Sequence, residues 1–194
     1  WCEPNQASRD QTLTKVLDDT GSLLVHPYND ERIICGQGTA ALELMEKNPD
    51  LDIIITPVSG GGLLGGTLCY AKEKNKNIQI YGAEPMEADD AYRSLLSGKI
   101  QSNETTNTIC DGLRAQIGTI TFPIIREKVN GIIPISEEDI ISTMQMIWER
   151  MKIIVEPSCS IVLAAVLNNK KIFSGKKVGL ILSGGNVDLD KLPW

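Results

Sequence analysis

Residues Ile53-Ile54-Ile55-Thr56-Pro57-Val58 form an apolar run short enough for one buried strand. The run ends in Ser59-Gly60-Gly61-Gly62, and helical spacing resumes at Leu63. Glycines let the backbone turn sharply and approach a ligand with no Cβ in the way. The helix that follows aims its free N–H groups and the positive end of its dipole at the same spot. Strand, glycine turn and helix N-terminus together build an anion site, most often one for phosphate.

The rest of the pattern agrees with such a unit. Buried strands are predicted over 51–58, 78–84, 131–135 and 177–182, with a short strand over 23–25. Helices are predicted over 5–19, 39–47, 63–74, 88–96, 121–129, 137–151 and 157–167, with a polar loop over 103–108. Ser136 followed by Glu137, Glu138 and Asp139 reads as an N-cap with an acidic first turn. Continuous apolar strands alternating with helices imply an α/β fold, a parallel sheet covered by helices on both faces. Sheets of this kind bind ligands at the carboxyl ends of their strands. Polar or flexible residues follow Val58, Ala83 and Leu182, so one shared site is expected there.

Composition removes several classes of function. A chain of 194 residues, 42% hydrophobic and 23% charged, suits one globular domain or one plus part of another. A net charge of −6 argues against a nucleic-acid footprint and gives no reason to expect an anionic membrane surface as partner. No apolar run reaches the roughly 18 to 20 residues of a membrane span. The N-terminal Trp1-Cys2-Glu3-Pro4-Asn5 lacks the regions of a signal peptide, so a cytoplasmic location is expected. The five cysteines, Cys2, Cys35, Cys69, Cys110 and Cys159, include no Cys-x-x-Cys and read as buried, reduced thiols. The single histidine, His26, excludes two-His metal motifs and leaves no choice of base for a Ser/His/Asp triad. Next to Pro27 it reads as a structural residue in a turn.

The local motifs leave alternatives open. Gly60-x-Gly62-x-x-Gly65 formally matches a dinucleotide fingerprint, and Glu84 stands where a ribose-binding acid would. Contiguous glycines fit a single compact phosphate better, and a purely structural turn is a third reading. In Glu84-Pro85-Met86-Glu87-Ala88-Asp89-Asp90 the crowded carboxylates suit either a hard divalent cation or a solvated helix start. Ser183-Gly184-Gly185-Asn186 after the last strand is a plain turn or a hydroxyl facing the same crevice. Arg150 and Lys152 complement a helix C-terminus or bind an anion.

Taken in order, Ser59-Gly60-Gly61-Gly62-Leu63, Gly82-Ala83-Glu84-Pro85, Ala88-Asp89-Asp90, Cys110-Asp111-Gly112, Trp148-Glu149-Arg150-Met151-Lys152, Val155-Glu156-Pro157 and Leu182-Ser183-Gly184-Gly185-Asn186-Val187-Asp188 span nearly the whole chain. The set resembles the serine racemase and threonine/serine dehydratase family, pyridoxal-phosphate (PLP) enzymes of the tryptophan-synthase-β-like fold (fold type II). The resemblance implies that Ser59, Gly60, Gly61, Gly62 and Leu63 cradle the cofactor phosphate. It places Ser183 on the pyridine nitrogen, and Gly112 and Glu156 along the cofactor and substrate region. It implies Mg²⁺ or Ca²⁺ at Glu84, the carbonyl of Ala88 and Asp90, and ATP as an activator at a subunit interface, with Arg150, Lys152 and Asn186 at the matching positions. It also implies a homodimer acting on serine or threonine, by racemisation or by loss of water and ammonia.

Two departures qualify this. The family's Ser-x-Lys-x-Arg-Gly segment, which carries the Schiff-base lysine, has no match here. Ser97-Gly98-Lys99 and Ser174-Gly175-Lys176 lack its context. The cofactor-gripping Ser-x-Gly-Asn-His stretch and the serine base of the opposite face are likewise without a match. The expected organisation is therefore the C-terminal end of the smaller domain over 1–30 and the C-terminal part of the large cofactor domain over 31–194, with no catalytic residue in the chain. Ser158-Cys159-Ser160 is the second departure, at a place where the family commonly has a small residue and glycine. The rivals are threonine dehydratase, a non-catalytic module binding PLP and a cation, and a dinucleotide-dependent oxidoreductase.

Overall fold

The computed structural model describes residues 1–3 and 6–194. Along the chain run α1 (Gln6–Thr20), α2 (Glu31–Gln37), α3 (Thr39–Lys47), β1 (Ile53–Pro57), α4 (Gly62–Lys74), β2 (Gln79–Pro85) and α5 (Asp90–Ser97). After these come α6 (Thr121–Lys128), β3 (Gly131–Ile135), α7 (Glu137–Met151), α8 (Pro157–Asn168), α9 (Lys170–Phe173) and β4 (Val178–Leu180). The strands form one parallel sheet in the order β3-β2-β1-β4.

Successive side chains of a strand point to opposite faces, and β1 shows the result. Ile54 joins a cluster with Leu64, Leu68, Ile80 and Ile125, beneath α4 and α6. Its neighbours Ile53 and Ile55 join Ile135, Ile140, Ile161 and Ala165, beneath α7 and α8. Both faces are therefore dry, which is why β1 is apolar without alternation. Pro57 pairs with Ala83 and Ile55 with Leu180, so the exits of β1, β2 and β4 lie side by side on one edge.

Helix boundaries follow local chemistry. The Ser136 Oγ accepts the Asp139 N–H at 3.3 Å and opens α7, and the Asp30 carboxylate accepts the Arg32 N–H at 2.8 Å at the start of α2. The latter helix and the four-residue α9 are absent from the sequence reading, because each is too short to show a period. A 3₁₀ turn at Met86–Ala88 delays α5 to Asp90. The expected strand over 23–25 does not form. Leu23 and Val25 are 79% and 63% exposed, and the sheet offers that segment no partner. The predicted helix start at Asn5 lies outside the described residues. Cys110 and Cys159 are buried as expected, whereas Cys2, Cys35 and Cys69 are exposed, which corrects the reading of all five as buried. Among the described residues no helix is long and apolar enough to cross a membrane.

Candidate functional site

At the carboxyl edge of the sheet lies a cavity of about 600 Å³, lined by Ser59 through Leu64, Tyr28, Gly112, Arg114 and Ser183. The turn out of β1 passes through Gly61 at φ +88°, as N-cap of α4, a conformation that L side chains rarely adopt. The first-turn amides of α4 have no acceptor inside the helix, and they belong to residues of the cavity wall. The Ser59 hydroxyl is committed elsewhere. It donates to the Ala115 carbonyl at 3.1 Å and accepts the Ala115 N–H at 3.0 Å, which ties the glycine turn to the 110–118 loop. Arg9 and Arg114 add positive charge to the same wall. Backbone amides at a helix N-terminus, with two arginines on the same wall, form a site suited to a phosphate dianion; the Arg114 guanidinium also donates to the Thr108 carbonyl.

The opposite side is braced from α8. The Ser158 Oγ accepts the Gly112 N–H at 3.1 Å. The Cys159 thiol donates to the Gly184 carbonyl at 3.0 Å; burial pushes its pKa up, which keeps the proton on sulfur. The Glu156 carboxylate lies beside Gly112 and Gly184. Its Oε2 accepts the Asn186 N–H at 2.7 Å, holding the turn that presents Ser183. Of the residues that depart from the family pattern, Ser158 supports Gly112 and Cys159 the turn after Ser183, while the Ser160 hydroxyl donates to the Ile140 carbonyl at 3.1 Å. Neither Lys99 nor Lys176 lines the cavity, and no other lysine does among the described residues.

Glu84 and Asp90 lie at the exit of β2, both buried. The Glu84 carboxylate accepts the N–H groups of Ala91 and Tyr92 at 3.1 and 2.8 Å. Asp90 accepts from the Ile117 N–H at 2.7 Å and from Asn103 Nδ2 at 2.8 Å. Burial, and for Glu84 also the Asp90 charge, raise both carboxyls, Asp90 to about 6 and Glu84 well above its ordinary range. Ala88, buried at the end of the 3₁₀ turn, precedes Asp90 by two positions. Among the described residues no three His, Cys, Asp or Glu side chains cluster as a metal set. A cation here would rest on two carboxylates, a carbonyl and water, which suits a hard ion such as Mg²⁺. Arg150 and Lys152 are exposed at the C-terminal end of α7, Lys152 at φ +58°, and Asn186 is exposed beyond Ser183.

A parallel α/β sheet with a glycine-rich helix N-terminus and Ser183 on one cavity wall defines a class, and the family comparison agrees. The chain belongs to the pyridoxal-phosphate dependent enzyme family, whose model matches residues 1–184. It is 49% identical over 195 residues to serine racemase of Dictyostelium discoideum, covering 98% of this chain and 60% of that protein. The solved maize serine racemase superposes with a TM-score of 0.94 at 44% identity, over 98% of this chain and 59% of that one. A solved threonine deaminase (T.th.) superposes at 0.91 with 38% identity, over 96% and 62%. The chain therefore spans about three-fifths of the length of these relatives, and the fold is that of the fold-type-II PLP enzymes.

Arg9, Tyr28 and Arg114 line the cavity and were not singled out from the sequence. They come from segments far apart in the chain, and no linear spacing connects them to the glycine turn.

Proposed function

We propose that this chain supplies the phosphate cradle and ring-nitrogen contact of a PLP-dependent enzyme that racemises serine and also eliminates water from serine or threonine. The observation that carries the reading is the convergence of a glycine-rich helix N-terminus and Ser183 on one cavity. In this reading the amides of Ser59, Gly60, Gly61, Gly62 and Leu63 bind the phosphate, while the Ser59 hydroxyl fixes their loop to Ala115. Ser183 hydrogen-bonds the pyridine nitrogen, Gly112 and Glu156 line the cofactor and substrate region, and Glu156 also holds the turn after Ser183 through the Asn186 N–H. When bound, PLP supplies an electron sink that acidifies the Cα–H of an attached amino acid. Mg²⁺ or Ca²⁺ at Glu84, Ala88 and Asp90 fixes the loop that ends at Ile117. ATP at Arg150, Lys152 and Asn186, a homodimer and a cytoplasmic location belong to the same reading. So does the division into the end of a smaller domain over 1–30 and a larger cofactor domain over 31–194.

Among the described residues no lysine lines the cavity, which favours a second reading for the chain by itself, a module that binds cofactor and cation without turnover. Titration with PLP separates the two from the oxidoreductase reading. Saturable binding competed by inorganic phosphate, with negligible serine turnover, is expected. Binding of NAD and not of PLP would overturn the assignment.

A further inference from the structure

His26 is half-buried, and its Nδ1 accepts the backbone N–H groups of Asn29 at 2.8 Å and Tyr28 at 3.3 Å. Two donors on one nitrogen require its lone pair to face them, so the neutral ring carries its proton on Nε2. The ring closes a turn in the way an Asx side chain does, through the atom at the δ1 position. It also meets the Tyr28 ring edge-on, 4.6 Å between centroids.

The two residues whose amides it fixes touch the glycine turn from different sides. The Tyr28 ring lies against Gly60, where a Cβ would fall 2.4 Å from it. The Asn29 Oδ1 accepts the Ile120 N–H at 2.7 Å, and its Nδ2 donates to Thr119 Oγ1 at 3.1 Å. That short segment continues directly onto Gly60. The Gly118 N–H donates to the Gly60 carbonyl at 3.1 Å, and the Thr121 hydroxyl donates to the same oxygen at 2.7 Å.

We infer that His26 is a positioning residue for the phosphate cradle. Its Nδ1 holds Tyr28 and Asn29 so that the Tyr28 ring and the 118–121 segment fix Gly60, and with it the amides at the start of α4. The role rests on the reading of the cavity as the cofactor-phosphate site. It predicts that the lone pair matters and the ring does not.

The test compares His26→Phe, which keeps a ring against Tyr28 but loses the acceptor, with His26→Asn, which keeps an acceptor at the δ1 position. The probe is pyridoxine 5′-phosphate, which has no aldehyde to react with surface lysines, and the readout is calorimetric titration of the full chain. Loss of one half-buried acceptor for two amides predicts roughly tenfold weakening in H26F. In H26N the affinity stays near that of the unaltered chain. Equal affinity in all three proteins, or equal loss in both variants, overturns the role. Should H26F fail to fold, Asn29→Ala cuts the next link and must show the same weakening; unchanged affinity there is equally contrary. Should the unaltered chain bind no pyridoxine phosphate, the cavity assignment itself fails. The positioning role is then read from amide hydrogen exchange at Gly60 through Leu63. Faster exchange in H26F but not in H26N supports it, and unchanged exchange in H26F overturns it.

Discussion

At Gly61 the chain holds φ at +88°, and a Cβ there would come within 2.8 Å of Ile125 and Thr121. Replacement by alanine therefore meets both backbone strain and a clash. Gly61→Ala should cost on the order of 1 to 3 kcal/mol of stability and weaken pyridoxine-phosphate binding beyond that loss, read by denaturant unfolding and titration on the same samples. The carboxyls of Glu84 and Asp90 behave differently, because what they express is pH. Both folded-state pKa values are raised, so without a cation the fold prefers their protonated forms. The associated stability is full below the ordinary carboxylate range and is lost as pH rises through about 6 for Asp90. By linkage Asp90 alone contributes on the order of 2 to 3 kcal/mol. Thermal unfolding of the cation-free chain should occur at higher temperature at pH 5 than at pH 7.5. Mg²⁺ or Ca²⁺ should raise the midpoint at pH 7.5 and do so less at pH 5. A midpoint indifferent to both pH and cation would contradict the cation reading. The type and spacing of these residues were visible in sequence. Their burial and their hydrogen bonds to α5 and Ile117 were not, since those depend on loops closing from 13 and 27 residues away.

Among the elements, the strongly patterned ones were legible and the short ones were not. β1, α4, α7 and α8 carry continuous or periodic apolar runs, and their ends are marked by Gly61, Ser136 and Pro157. The α7 cap is a local device with a local cost. The Ser136 Oγ accepts the Asp139 N–H and donates to the Asp139 carboxylate at 2.8 Å. Ser136→Ala should lower stability by about 1 kcal/mol while leaving pyridoxine-phosphate affinity unchanged, because α7 contributes no residue to the cavity wall. A matching loss of affinity would mean that α7 is coupled to the site. The segment at residues 23–25 shows the limit of pattern. Leu-Leu-Val has strand propensity, but a strand needs an edge to pair with, and propensity alone does not supply one. α2 was invisible because seven residues with Gly36 among them are too few to show a period, although Asp30 before Glu31 was a usable start signal.

For the whole molecule, parallel pairing sets the outcome. One edge of the sheet collects the exits of β1, β2 and β4, and the glycine turn, the acidic segment and Ser183 all fall there. That convergence could be argued from the order of strands and helices. The supports of the site could not. The His26 turn, the Ser59–Ala115 tie and the Ser158 and Cys159 braces each join segments more than twenty residues apart or act through backbone atoms that carry no sequence signature. The most direct test of the central claim is a crystal structure of the chain with PLP. The account predicts the phosphate within hydrogen-bond distance of the amides of Gly60 through Leu63 and the pyridine nitrogen against the Ser183 hydroxyl. PLP bound away from the glycine turn, or a phosphate held there with the ring directed away from Ser183, would contradict it.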